Sequence, residues 1–143
     1  MAADRISPRL AACVAALPLR PHMRVLEIGC GPGVAARAIA RLLTTGSIVA
    51  IDRSQRAISQ AIAGSAPELA TGRLEFRLAS VEDFVLAPSE APFDLAFALR
   101  VGALDGRHPE LEAAALSRIG SALRPEALLL IDDRPPIRAG DLR

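Results

Sequence analysis

Several residue types are missing from this chain or scarce in it. Its 143 residues include no lysine, no tryptophan and no tyrosine, and only four phenylalanines. A large aromatic core is therefore excluded, and the interior has to be built from alanine, leucine, valine and isoleucine. Small aliphatic side chains of this kind suit helices packed closely on a buried sheet.

Excess charge, a cysteine framework and long apolar runs are also missing. The formal net charge is +1, which favours neither a nucleic-acid partner nor a membrane surface. Cys13 and Cys30 are too few for a disulfide scaffold, and no apolar run approaches the ~20 residues of a membrane span. Because no secretory leader is recognisable either, we expect a reduced, soluble, cytoplasmic protein.

The length and overall composition favour one globular domain. A chain of 143 residues with 51% hydrophobic and 23% charged residues can bury a core of ordinary size. We expect an N-terminal helix within 1–20, a core over 24–134 and a polar, proline-broken tail over 135–143.

Short apolar segments alternate with longer amphipathic ones along the core. The predicted strands cover 24–28, 48–52, 73–79, 93–101 and 127–133. The predicted helices cover 4–17, 33–43, 54–65 and 109–123. This alternation predicts an α/β fold with a Rossmann-like, mostly parallel sheet in the order 3-2-1-4-5 and helices on both faces. A ligand crevice is then expected beyond the carboxyl ends of the first and fourth strands.

The stretch VLEIGCGPG follows the pattern of a ligand-binding turn between a strand and a helix. Gly29, Gly31 and Gly33 leave a bare backbone that a ligand can approach, and the following helix offers free N–H groups. The dinucleotide pattern needs a glycine where Val34 stands, and Glu27 is awkward beside a pyrophosphate but useful beside a cation or amine. The pattern therefore favours a nucleoside without a pyrophosphate.

An acidic residue closes the second predicted strand. Asp52 lies nineteen residues after Gly33, where a carboxylate can accept hydrogen bonds from both hydroxyls of a ribose. The alternative is that Asp52 caps the next helix or pairs with Arg53 or Arg56.

The motifs VLEIGCGPG and IVAIDRS together resemble the first two motifs of class I S-adenosylmethionine-dependent methyltransferases. The stretches FDLAFALRVGALDG and LSRIGSALRPEALLLIDD resemble the family's regions around strands four and five. The similarity covers about residues 20–134 in matching order. It implies an enzyme that uses S-adenosyl-L-methionine to methylate a small-molecule acceptor.

The resemblance also implies a set of cofactor-binding residues. Glycine-loop residues would pack against the methionine part, Glu27 would hold the loop and the amine side, and Asp52 would bind the ribose. Ser80 stands where the family often has an adenine-binding acid, and Leu99 would shape the pocket after strand four. The full implied set is Glu27, Gly29, Cys30, Gly31, Gly33, Asp52, Arg53, Ser80, Val81 and Leu99.

No catalytic group is identified by the sequence. Methyl transfer from a sulfonium needs mainly a close, aligned and dry approach, so a general base is required only for some acceptors. Arg100 and His108 are the nearest polar candidates. The alternative is that Arg100 is a solvated side chain at a strand end and that His108 caps the next helix or faces solvent. No acidic cluster has metal-ligand spacing, so we expect no metal.

The chain departs most from the family after strand five. Family domains usually continue through a helix and an antiparallel hairpin, which we expect to be absent here. Strand five would then be an exposed edge, covered by a homodimer, by the tail or by the rest of a longer parent. Two other functions stay open: a non-catalytic S-adenosylmethionine-binding protein acting through a partner, and a nicotinamide-dependent reductase, which Val34 and Glu27 disfavour.

Overall fold

The computed structural model describes residues 6–142, and helices alternate with strands along them. The α-helices are α1 (Pro8–Ala16), α2 (Val34–Leu42), α3 (Gln55–Ala63), α4 (Ala66–Ala70) and α5 (Pro109–Ala122). Two 3₁₀ turns lie at Val81–Asp83 and Ala139–Leu142. The start predicted for the first helix, residue 4, lies outside the described residues.

The strands form one sheet that is slightly wider than the sequence predicts. They are β1 (Arg24–Ile28), β2 (Ser47–Asp52), β3 (Leu74–Leu78), β4 (Phe93–Ala98), β5 (Leu123–Ile131) and β6 (Ile137–Arg138). The sheet order is β3-β2-β1-β4-β5-β6, and the first five strands are parallel. The predicted order 3-2-1-4-5 is confirmed. The expectation that the antiparallel hairpin after strand five is absent is corrected, because the short strand β6 pairs with β5 in antiparallel fashion.

Both faces of the central strands are covered by helices, as predicted. Leu26 and Ile28 of β1 pack into a core shared with α5, whereas Val25 packs on the other side with α1 and α2. Burial on both faces explains why these strands are apolar without alternation. The small side chains of α2 bring its backbone close to the sheet, and Ala36 is fully buried.

The C-terminal tail covers the edge of β5. Ile137 pairs with Leu129, and Ala139 in the turn that follows is fully buried. Leu142 packs against α5, where a Cβ built at Gly120 would lie 3.0 Å from the Cβ of Leu142. Of the three expected ways to protect β5, the fold uses the tail, and homodimerisation stays a prediction. Among residues 6–142, no helix has both the length and the apolarity to cross a membrane.

The order of the strands positions the site. Strand β1 lies between β2 and β4, so the chain leaves β1 and β4 in opposite directions along the sheet. A crevice opens between loops at such a reversal. Gly29–Gly33 follow β1, Asp52 ends β2 and Arg100 follows β4, so all of them lie at this end of the sheet.

Candidate cofactor and acceptor site

The turn after β1 is a tight loop attached to the end of β2. The N–H groups of Gly29 and Cys30 both donate to the carbonyl oxygen of Ile51, at 2.8 and 2.9 Å. Gly31 has a φ of 53°, and no atom lies within 4 Å of the place where its Cβ would be. The loop therefore presents open backbone at Gly31.

Gly33 is the point at which the turn packs against the sheet and α3. Its φ is 89°, and a Cβ built on it would lie 2.9 Å from Cζ of Phe76 and 3.1 Å from Cβ of Ala61. Gly33 thus lets α2 start against the neighbouring strand and helix. The missing side chain of Gly33 thus serves internal packing, and its contact with a cofactor stays a prediction.

Asp52 joins two of the loops. Its Oδ2 accepts a hydrogen bond from the N–H of Gly31 at 2.8 Å, and its Oδ1 accepts one from the N–H of Ser54 at 2.9 Å. Among the described residues Asp52 forms no ion pair with Arg53 or Arg56, and the cap of α3 is the hydroxyl of Ser54. Each carboxylate oxygen keeps a second lone pair, so Asp52 can still accept bonds from a ligand.

A cavity of about 280 Å³ lies beside Asp52, and we call it the first cavity. It brings together five of the implied cofactor-binding residues and both catalytic candidates: Gly29, Asp52, Arg53, Ser80, Val81, Arg100 and His108. The other implied residues do not line it. Leu99 lines a second cavity, and the residues that line neither cavity are Glu27, Cys30, Gly31 and Gly33.

Glu27 is a buried carboxyl group with an unused oxygen. Only 5% of the residue is exposed, and its Oε1 has no hydrogen-bond partner. Burial, and to a lesser extent the charge of Asp52, raises the pKa of Glu27 from 4.5 to about 8. A cation placed nearby would favour the charged carboxylate, so this group and the open backbone at Gly31 fit a positively charged, amine-bearing ligand.

Cys30 is a small, inert residue of the loop. Burial, followed by the charges of Glu27 and Asp52, raises the pKa of its thiol from 9.0 to about 12. The thiol is therefore protonated at neutral pH and is a poor nucleophile. The expectation that Cys30 acts through its size agrees with this environment.

The loop after β4 forms the opposite wall of the first cavity. A Cβ at Gly29 would lie 2.7 Å from Cγ2 of Val101, and a Cβ at Gly102 would lie 2.6 Å from Cδ2 of His108. The side chain of His108 is 56% exposed and lies 3.6 Å from Glu110. His108 also lines the first cavity.

The second cavity has a volume of about 500 Å³ and lies where α1 passes the ends of β4 and β5. It is lined by Ser7, Arg9, Leu10, Cys13, Leu99, Arg100, Asp132 and Asp133. Arg100 lines both cavities, so they meet at this residue. The sequence leaves three possible sources for an acceptor pocket: the N-terminal helix, the loop after strand four or a second subunit. The second cavity lies beside the first two, and its use by an acceptor stays a prediction.

Two arginines that support the loops around the site are not predicted by the sequence. Arg37 is buried in α2, where its Nη1 donates to the carbonyl of Pro32 at 3.0 Å and to Oγ of Ser65 at 2.9 Å. Arg107 donates from Nη2 to the carbonyl of Arg100 at 2.6 Å. Nothing in the sequence around Arg37 or Arg107 distinguishes them from ordinary solvated arginines. Across the described part of the chain, no cluster of three or more His, Cys, Asp or Glu residues could hold a metal.

The known proteins that this chain resembles are consistent with one family. The model of a family described as "Methyltransferase domain" matches residues 19–135. The trans-aconitate 2-methyltransferase of Streptomyces avermitilis is 36% identical over 86 residues, which are 60% of this chain and 30% of that protein. The enzyme of the same name from Delftia acidovorans is 30% identical over 118 residues, which are 82% of this chain and 40% of that one. The chain therefore spans less than half the length of these curated relatives.

Solved structures show the same fold. The [4+2]-cyclase SpnF has a TM-score of 0.67 at 27% identity, with 85% of this chain and 43% of that one covered. The CcbJ methyltransferase of Streptomyces caelestis has a TM-score of 0.68 at 19% identity, with 86% and 47% covered. A phosphoethanolamine N-methyltransferase of Haemonchus contortus, solved with S-adenosyl-L-methionine, has a TM-score of 0.67 at 24% identity, with 85% and 26% covered. Since the family match spans most of the sequence, this chain belongs to the class I S-adenosylmethionine-dependent methyltransferases.

Proposed function

We propose that this chain binds S-adenosyl-L-methionine in the first cavity and catalyses transfer of its methyl group to a small molecule held in the second cavity. The observation that carries the proposal is that two carboxyl groups flank a bare glycine turn: Glu27, which is buried with one unpartnered oxygen, and Asp52, which accepts a bond from the turn. The Glu27 carboxyl suits the cationic amino group of an amino acid, and the Asp52 carboxylate suits the hydroxyl groups of a sugar. A nucleoside joined to an amino acid contains both.

The chemistry is divided between the cofactor and the chain. When bound, S-adenosyl-L-methionine supplies a methyl group already activated by the positive sulfur. The chain binds and orients the cofactor. Asp52 would accept hydrogen bonds from the ribose hydroxyls, and Glu27 would face the amine. Ser80 and Val81 line the part of the first cavity expected to hold adenine. Positioning of this kind can supply a large part of a rate enhancement without a catalytic acid or base.

The acceptor is proposed to be a small organic acid. Both curated relatives are named for trans-aconitate, which is a small carboxylic acid. A pocket of about 500 Å³ beside the first cavity has room for a molecule of this size.

A binding measurement with three compounds tests the proposal. Titration calorimetry with S-adenosylmethionine, S-adenosylhomocysteine and NADH should show binding of the first two only. Asp52→Ala should weaken that binding by about 1.5–3 kcal/mol, because charge-assisted hydrogen bonds are lost. Asp52→Asn keeps the shape and one acceptor oxygen, so its loss should be smaller. Binding of NADH in place of the adenosyl compounds would contradict the proposal.

Catalysis needs a separate assay because this fold hosts other reactions. SpnF, a [4+2]-cyclase, shares the architecture. Transfer of a labelled methyl group from S-adenosylmethionine to a panel of small acids, including trans-aconitate, should give labelled product. If the cofactor binds and no acceptor in a broad panel is labelled, the non-catalytic alternative replaces the enzyme.

A further inference from the structure

Two exposed arginine side chains line the second cavity. Arg9 projects from α1, and Arg100 follows β4. Among residues 6–142, neither guanidinium forms a hydrogen bond or an ion pair with another residue. A guanidinium presents several N–H donors in a plane, a geometry that matches a carboxylate.

The backbone of Arg100 is held at both of its polar groups. Its N–H donates to Oδ1 of Asp132 at 2.8 Å, and its carbonyl accepts from Nη2 of Arg107 at 2.6 Å. Arg100 and Asp132 both have left-handed backbones, with φ of 56° and 49°. The N–H of Asp132 donates in turn to the carbonyl of Ala98 at 3.0 Å. These bonds fix the Cα of Arg100 at the junction of the two cavities.

The acidic residues of the second cavity do not neutralise the arginines. Asp132 directs one oxygen to the backbone of Arg100, and no ion pair within 4 Å joins Asp132 or Asp133 to either guanidinium. Asp133 is exposed on the same lining. The arginines are therefore available to an anion, whereas Asp132 already serves the fold.

We infer that the second cavity binds a small di- or tricarboxylate, with Arg9 and Arg100 holding one carboxylate while another receives the methyl group. The inference rests on the proposed function, and it names the residues and the charge of the acceptor. An oxygen lone pair of the second carboxylate forms the new O–CH₃ bond as the methyl–sulfur bond breaks. The electron pair of that bond stays on sulfur, so the products are a methyl ester and a neutral thioether.

A carboxylate acceptor matches the groups around the two cavities. It is already deprotonated at neutral pH, so no proton has to be removed before transfer. His108, the candidate base, lines the first cavity and is not among the residues of the second. The negative charge of the acceptor and the positive charge of sulfur cancel as the bond forms.

The test measures binding of propane-1,2,3-tricarboxylate (tricarballylate) by calorimetry, with the protein saturated with S-adenosylhomocysteine. Wild type should bind tricarballylate and not its trimethyl ester. Arg9→Gln and Arg100→Gln should each weaken binding at least tenfold. Arg118→Gln is the matched control, because Arg118 is an exposed arginine of α5 outside both cavities, and it should bind like wild type.

Two checks separate charge recognition from damage to the fold. Arg9 lines only the second cavity, so Arg9→Gln should keep wild-type affinity for S-adenosylhomocysteine and wild-type thermal stability. Asp133→Asn should bind tricarballylate as tightly as wild type or more tightly, because a like charge is removed. A cavity built for a cationic acceptor would show the opposite effect.

The outcomes distinguish this inference from the function on which it rests. If S-adenosylhomocysteine itself does not bind, the proposed function fails. If it binds but tricarballylate does not, or if the Arg9 and Arg100 variants bind tricarballylate like wild type, the carboxylate inference alone is overturned. Equal binding of the trimethyl ester, or weaker binding by Asp133→Asn, would overturn it as well.

Discussion

Replacing Glu27 with glutamine should make the unliganded protein more stable at neutral and alkaline pH. Glu27 is 5% exposed and its Oε1 lacks a partner, so the charged carboxylate is poorly solvated in the folded chain. Glutamine resembles the protonated acid in shape and carries no charge. The substitution therefore removes the cost of ionising this side chain while keeping its volume.

The size of the effect follows from the raised pKa of Glu27. In the unfolded chain the carboxyl loses its proton near 4.5, and in the folded chain near 8. Between these values the folded state binds more protons, so the free energy of unfolding falls as the pH rises. At about 1.4 kcal/mol per pH unit, the loss is about 3 kcal/mol at pH 7 and about 5 kcal/mol once the pH exceeds 8. Below pH 4.5 both states are protonated and the stabilisation is complete.

The assay compares wild type with Glu27→Gln in urea at pH 5, 7 and 8.5. Far-ultraviolet circular dichroism is the suitable signal, because the chain has no tryptophan or tyrosine to report by fluorescence. The two proteins should differ little at pH 5 and by several kcal/mol at pH 8.5, with the variant more stable. Glu126→Gln, at an exposed position, controls for the loss of a negative charge and should follow wild type. Parallel stability curves for wild type and Glu27→Gln from pH 5 to 8.5 would refute the argument.

Three further substitutions test the scaffold around the site. Gly33→Ala should lower the free energy of unfolding by about 2–4 kcal/mol in a urea titration. The φ of 89° at Gly33 disfavours any Cβ, and this one would also lie 2.9 Å from Phe76. Wild-type stability of the variant would refute the packing role. Arg37→Met should cost about 2 kcal/mol by leaving buried acceptors without a donor, and an unchanged midpoint would contradict this. Ala139→Glu should destabilise the tail and free the β5 edge, so light scattering should detect association, whereas the exposed neighbour substitution Arg138→Glu should not cause it.

The sheet order and one half of the site could be predicted from local patterns. The alternation of strands and helices determines the order of the strands in the sheet. A residue at the carboxyl end of a parallel strand must lie at the same edge of the sheet as the ends of its neighbours. For this reason Gly29, Asp52 and Ser80 could be expected to meet, and they do line one cavity. The function of Gly33 could not be separated from that of its neighbours, because Phe76, against which it packs, comes from another strand.

The rest depends on contacts that no local pattern reveals. Strand β6 has two residues, too few for a periodic signal, and it follows two prolines that indicate a loop. The second cavity joins Arg9 with Arg100 and Asp132, which lie far apart in the sequence and meet only when α1 packs beside the sheet. Arg37 lies in an alanine-rich helix where a charged side chain is normally solvated, and its burial depends on the turn before α4.

The two backbone bonds to Asp52 have a consequence for the kinetics of recognition. Because N–H groups of the protein orient this carboxylate, the loops after β1 and β2 are joined before any sugar arrives. Little chain entropy then remains to be lost on association, and the encounter need not wait for a loop to rearrange. Differences in affinity among nucleoside ligands should therefore appear mainly in their dissociation rate constants.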